Sequence, residues 1–319
     1  MDNRGHDGRQ AQFRLDWVDV ARGIGIIAVV IGHVWTRGGV RDAMYSFHMP
    51  LFFLLSGMLS RPHPLGAFTR RQIVGQMRPY AVFLALLILI DQIVEPLKGG
   101  RPIFHQWPED MVPILLGGFW LRGPYTIFWF VPCLMIARIL FNIALLRWPD
   151  ILDRRWAWIL LPTILLAYAL GCWTEASPLG LLSVPMAFCL LWVGALWPRV
   201  RWHNFMIVPL ALLALVGLSG IAPTLNMKVA DYGWPLLSIG SAVATCLLLF
   251  RLSVRIVSFA GLVAALGRAS LVIMYLHVAV IHYGSPYLGK PWLLLLALAL
   301  PFGLHALIRR SPAATRIFL

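Results

Sequence analysis

The chain has 319 residues, 60% of them hydrophobic and 13% charged, with a net charge of +14 and a mean hydropathy of +0.77. A soluble chain is nearer roughly 45–50% apolar and about 25% charged, so this composition excludes a soluble globular protein, a disordered tail and a secreted disulfide scaffold. One bilayer crossing takes about 20 apolar residues, and about ten crossings would use most of the chain, leaving no room for a separate soluble catalytic domain.

The first apolar run covers about 17–36 and follows Arg4, Arg9 and Arg14. No small-x-small cleavage site follows it, and it carries Asp19 and Arg22, so it reads as a retained helix and not a signal peptide. Further runs lie near 44–60, 79–95, 125–146, 156–172, 178–197, 204–222, 234–250, 269–284 and 291–308, with 111–121 as an ambiguous extra. They are continuously apolar, unlike the alternating strands of an outer-membrane barrel. The expected fold is an all-α membrane protein. About ten transmembrane helices form a single domain over 1–319, with tails at 1–15 and 309–319.

With the N-terminus in the cytoplasm, Arg61, Arg70, Arg71, Arg78 and the arginines of 147–155, 199–201, 251–268 and 309–316 fall on one side. This orientation sorts nearly all the excess charge to the inside, as membrane insertion favours. Both termini are then cytoplasmic, and the basic balance gives no motive for nucleic-acid binding. Cys133, Cys172, Cys189 and Cys246 lie in or beside apolar segments with no CxxC or Cys/His spacing, so neither a metal site nor a disulfide framework is expected.

Titratable groups inside a bilayer are costly and mark function by default. Here they are Arg22, His33, His48, Asp91, Arg138, His277 and His282. On the first helix, Asp19, Arg22 and His33 share one stripe. Eleven residues separate Arg22 from His33, which is roughly 20° past three full turns and about 16 Å in depth. Asp19, three residues before Arg22, can orient it. Gly25 and Gly32 leave space near that stripe. His48 enters the second run at a depth similar to His33, where the two could exchange protons. Equally, His48 and Pro50 could simply shape the helix entrance. The loop carrying Arg61, Arg70, Arg71 and Arg78 holds no acid. It suits phosphate binding, or ordinary contact with anionic lipid headgroups. Arg138 reads as an anion contact or a helix-end contact, and His277 as a site residue or a structural hydrogen bond. Asp91 reads as an acceptor contact or as reaching interfacial water, at a depth unlike that of Arg138. Trp107, Trp120, Tyr125 and Trp129 fit sugar stacking and an interfacial aromatic belt equally.

The Asp19-x-x-Arg22-(x10)-His33 stripe, the block 47–57 (FHMPLFFLLSG) and the basic run ending in Arg78-Pro79-Tyr80 resemble the membrane-bound acyltransferase 3 family. Residues 125–130 (YTIFWF) are similar to its aromatic fourth-helix motif. Gly267-Arg268-Ala269-Ser270-Leu271 with Tyr275-Leu276-His277 is similar to its motif near the C-terminus. The motifs run in family order across nearly the whole chain, in the manner of the bacterial fucose 4-O-acetylase branch. The stretch between Arg71 and Arg78 lacks arginines that many members carry.

The resemblance implies a multi-pass protein of the bacterial inner membrane that takes an acyl group, most often acetyl, from cytoplasmic acyl-CoA. The acceptor is a hydroxyl on the far side, usually of a cell-surface carbohydrate, and no tightly bound cofactor is implied. On that reading His33 is the base or a transient acyl carrier, and His48 assists it or holds the acceptor. Asp19, Arg22, Arg70, Arg71, Arg78, Arg138 and His277 serve the substrates. The rival reading is a transporter or flippase for a small solute or lipid-linked sugar, which an inverted repeat would favour. A membrane scaffold is a third, disfavoured by charge along one buried stripe.

Overall fold

A computed structural model describes the backbone of residues 4–319 and the side chains from residue 16 onward. Arg4, Arg9 and Arg14 of the expected N-terminal tail lie outside the described side chains. The α-helices in chain order are α1 (Arg4–Val34), α2 (Gly39–Tyr45), α3 (His48–Met58), α4 (Leu65–Leu97), α5 (Met111–Leu116), α6 (Phe130–Arg147) and α7 (Arg155–Trp173). They continue as α8 (Val184–Leu196), α9 (Ile207–Leu218), α10 (Leu237–Ile256), α11 (Gly261–Arg268), α12 (Ser270–Gly284), α13 (Lys290–Ile308) and α14 (Pro312–Phe318). Among the described residues, extended pairing is limited to one bridge between Asn226 and Asp231.

Every apolar run read from the sequence contains a helix, but not every helix has the length of a crossing. Among the described residues seven are long and apolar enough to span a bilayer, and up to eight if the bent pair α11–α12, which turns by 81°, is one span. The second run forms α3, only 11 residues long, or about 16 Å at the helical rise. The seventh forms α9, also short. Segment 111–121 contributes the six-residue α5. The expected C-terminal tail holds α14, capped by Ser311 Oγ, which accepts from the Ala314 N–H at 3.3 Å. Arg78 Nη1 donates to the Arg316 carbonyl at 2.5 Å, and Phe318 packs edge-on against Phe83, so this end is folded onto α4.

The core forms around α1, α3, α6 and α8, while α7 presents Trp158, Leu161, Leu165 and Trp173 outward. An outward apolar face is what a helix bathed in lipid requires, because lipid tails do not penalise exposed Leu. The short α3 is buried because α8 covers it at the distance of touching backbones. A Cβ at Gly57 would overlap the Leu191 backbone, and one at Gly194 would overlap the Leu54 backbone. A second glycine crossing joins α1 to α11: Cβ atoms at Gly267 and Gly23 would overlap the carbonyls of Asp19 and Val263. Small residues at these crossings let helices associate through close packing where no hydrophobic force acts between them.

Candidate active site

One cavity of about 640 Å³ lies among α1, α2, α3, α4, α6, α11 and α12. Arg22, Arg138, Arg268 and Gln76 line one end; His33, His48, Arg41, Tyr45, Thr126 and Lys228 line the other. The helical arithmetic on α1 is realised, since Arg22 and His33 both face this space. The glycines along it are not empty room, however: Leu51 and Phe52 of α3 press against Gly25, and Tyr45 presses against Gly32.

At the arginine end, Asp19 stands behind the wall and does not line it. Its Oδ1 accepts from Arg22 Nη1 at 3.2 Å, and its Oδ2 lies 3.8 Å from Arg268 Nη1. One carboxylate thus holds two guanidinium groups side by side, and the Gly267–Asp19 crossing makes that possible. The 81° break between α11 and α12 follows directly after Arg268, so this residue lines the cavity from a corner. Arg138 reaches the same end from α6, within electrostatic range of Arg22 and Arg71. Its Nε is buried with no protein partner, and its guanidinium lies 6.0 Å from the Phe68 ring centre. A half-buried guanidinium with an unused donor suits a phosphate ligand. Arg70 and Arg71 are exposed on α4 and do not line the cavity, and Arg78 is turned to Arg316.

At the histidine end, hydrogen bonds fix the tautomers. A carbonyl can only accept, so a ring nitrogen bonded to one must carry hydrogen. His33 Nδ1–H therefore donates to the Val29 carbonyl at 2.9 Å, and His48 Nδ1–H donates to the Met44 carbonyl at 2.7 Å. In each ring the Nε2 lone pair is left free. His277 is fully buried and does not line the cavity. Its Nδ1–H donates to the Ile273 and Met274 carbonyls at 2.9 and 2.8 Å. Its Nε2 is then an acceptor, and it lies 3.4 Å from His33 Nδ1. His33 is thus backed by His277. Tyr45 stands between His33 and His48, with ring centres at 6.0 and 4.8 Å, and among the described residues no hydrogen bond joins those two histidines.

Asp91 is fully buried away from the cavity. Its oxygens accept from the Tyr283 hydroxyl and the Ile103 N–H, both at 2.7 Å, so it braces the 98–110 segment against α4 and α12 and does not reach interfacial water. His282 is paired at 3.7 Å with Glu95. Trp129 lines the cavity, whereas Tyr125 is buried behind it and Trp107 is exposed.

Sequence reasoning did not single out Arg41, Tyr45, Gln76 or Lys228, and quoted Arg268 and Thr126 only within motifs. Lys228 meets Thr126 across 102 positions, a distance no local pattern carries. A signal did exist for Arg268, one position after a glycine in the Gly267-Arg268 pair. Among the described residues, no group of three His, Cys, Asp or Glu is arranged to hold a metal ion.

No curated protein and no solved structure matches the chain. The acyltransferase domain of the acyltransferase 3 family matches residues 15–308. That span takes in both ends of the cavity and every helix that lines it, and the chain belongs to this family of multi-pass membrane acyltransferases, which transfer groups other than amino-acyl groups.

Proposed function

We propose that the protein takes an acyl group, acetyl first, from acyl-CoA entering at the cytoplasmic, arginine-lined end and passes it to a carbohydrate hydroxyl at the far end. The membrane is then the bacterial inner membrane, with both termini cytoplasmic. The observation that carries this reading is the single cavity with Arg22, Arg138 and Arg268 at one end and His33 at the other. Their separation along α1, about 16 Å, is comparable to an extended pantetheine arm. The phosphates would rest on guanidinium groups while the thioester carbonyl lies beside His33.

His33 Nε2 then removes the proton from the acceptor hydroxyl as that oxygen attacks the thioester carbon. A new C–O bond forms, the C–S bond breaks, and the leaving thiolate recovers the proton from the imidazolium. The Val29 carbonyl and His277 Nε2 both favour hydrogen on His33 Nδ1. That keeps Nε2 available before the step and stabilises the imidazolium during it. His48 Nε2 is placed to hold the acceptor hydroxyl.

The test uses purified protein in nanodiscs with acetyl-CoA labelled in its acetyl group. Label transfer or hydrolysis that is lost in His33→Ala, with binding weakened in Arg22→Ala, is the expected result. Retained turnover in a well-inserted His33→Ala protein would remove His33 from the chemistry. Failure to bind acetyl-CoA or longer acyl-CoA would move the reading to a transporter.

A further inference from the structure

The wall around His33 carries positive charge that the donor does not need. Lys228 lies on a short turn, Met227–Val229, between α9 and α10. Its Nζ donates to the Leu121 carbonyl at 2.7 Å and to Thr126 Oγ1 at 2.9 Å. Both partners are neutral. An ammonium has three donors, so one donor and the whole charge remain for the cavity that Lys228 lines. Burial, and then the charge of Arg122, lower its pKa to about 8, the behaviour of a cation without its counter-charge.

Arg41 lines the same end. Its guanidinium is 4.2 Å from the Tyr45 ring centre, and Nη1 reaches Asp42 at 3.1 Å, which leaves donors of its fork unused. Among the described residues that line the cavity there is no carboxylate at either end. At the arginine end, the phosphates of CoA answer that charge. Near His33 the donor presents only its thioester and neutral arm, so Lys228 has no anion and Arg41 has only Asp42.

Resting on the acyltransferase reading above, we propose that the acceptor is acidic. It is a carbohydrate bearing a carboxylate or phosphate close to the hydroxyl that is acylated, and Lys228 and Arg41 hold that anion. A charged hydrogen bond to an ammonium or guanidinium discriminates against a neutral analogue, because the half-buried cation is then left unpaired.

The experiment supplies nanodisc protein and labelled acetyl-CoA with two matched pairs, oligogalacturonate against its methyl ester and glucose 1-phosphate against glucose. Two signals are read: label transferred to the sugar, and suppression of acceptor-free acetyl-CoA hydrolysis by the sugar. The expected result is a preference of about tenfold or more for the acidic member of one pair, and that pair tells carboxylate from phosphate. Lys228→Met should collapse the acid-to-neutral ratio, and Lys228→Arg should keep most of it. The ratio cancels any general loss of activity, and elution as a single monodisperse species checks that each variant is folded. Equal signals within both pairs, or a preference that survives Lys228→Met combined with Arg41→Gln, would overturn the proposal. Absence of acetyl-CoA binding by the wild type would instead overturn the donor assignment beneath it, and the proposal with it.

Discussion

The two ends of the cavity hold similar charge in different ways. At the Arg22 end, the cations come from α1, α6 and α11, and Asp19 gathers two of them through a glycine crossing. At the His33 end, Arg41 comes from the seven-residue α2 and Lys228 from a three-residue turn, and Lys228 is held by neutral oxygens. Arg22 and Arg138 are carried within long helices, which position a group with less freedom than short turns do, while Arg268 ends the eight-residue α11. The first end thus suits the unvarying nucleotide carrier of the reading proposed above. The second sits where insertions and substitutions are tolerated, as a site for varied acceptors would.

The sharpest break in this comparison lies at the histidine end. His33→Ala should lower transfer by about 10²–10⁴-fold, the usual range for a general base, measured as single-turnover label transfer. Next, Arg268→Gln should raise the KM for acetyl-CoA by roughly tenfold to a hundredfold, the size of one or two charge-assisted hydrogen bonds, with kcat changed far less. If kcat falls instead and KM holds, the arginine end is not the donor end.

His277→Leu separates positioning from binding. It should reduce kcat by about tenfold to a hundredfold while the KM for acetyl-CoA stays within about threefold of wild type. His277→Gln, which can still accept from His33 Nδ1–H, should recover part of the loss. A smaller effect follows from Lys228. Below pH 8 its ammonium is charged, and its charge is lost as pH rises through about 8. The groups that face it, Arg122, Arg41, His33 and His48, include no carboxylate. The preference for an acidic acceptor should therefore fall by a few-fold between pH 7 and pH 9, and Lys228→Arg should flatten that slope.

What the sequence discloses about this site follows from locality. The Arg22–His33 alignment depends on one helix and its 3.6-residue period, so arithmetic on α1 suffices. The helix positions follow equally directly, since each apolar run holds one. Span number does not, because α3 is 11 residues long and only its cover by α8 shows how so short a helix is accommodated. The basic run at 70–78 is prominent as a string, yet Arg70 and Arg71 are exposed and do not line the cavity, and Arg78 turns to Arg316. The less prominent Arg138 and Arg268 line the cavity. His277 is visible as a titratable residue inside an apolar run, but its partner lies 244 positions away. Asp91 likewise has its partner Tyr283 at 192 positions. A single sequence has no term that couples such distant residues.

The carboxylate-free lining has one more consequence. The five cationic side chains that line it outnumber the two carboxylates that pair with them, Asp19 on Arg22 and Arg268 and Asp42 on Arg41, and the excess positive charge is self-repelling. Before any substrate arrives, small mobile anions from solution will collect there to relieve it. On the acyl-CoA reading proposed above, loading the donor is an ion exchange, in which chloride or phosphate leaves as the nucleotide enters. The apparent affinity for acyl-CoA should weaken steadily as buffer phosphate is raised at fixed pH, and more steeply than for a donor analogue stripped of its phosphates.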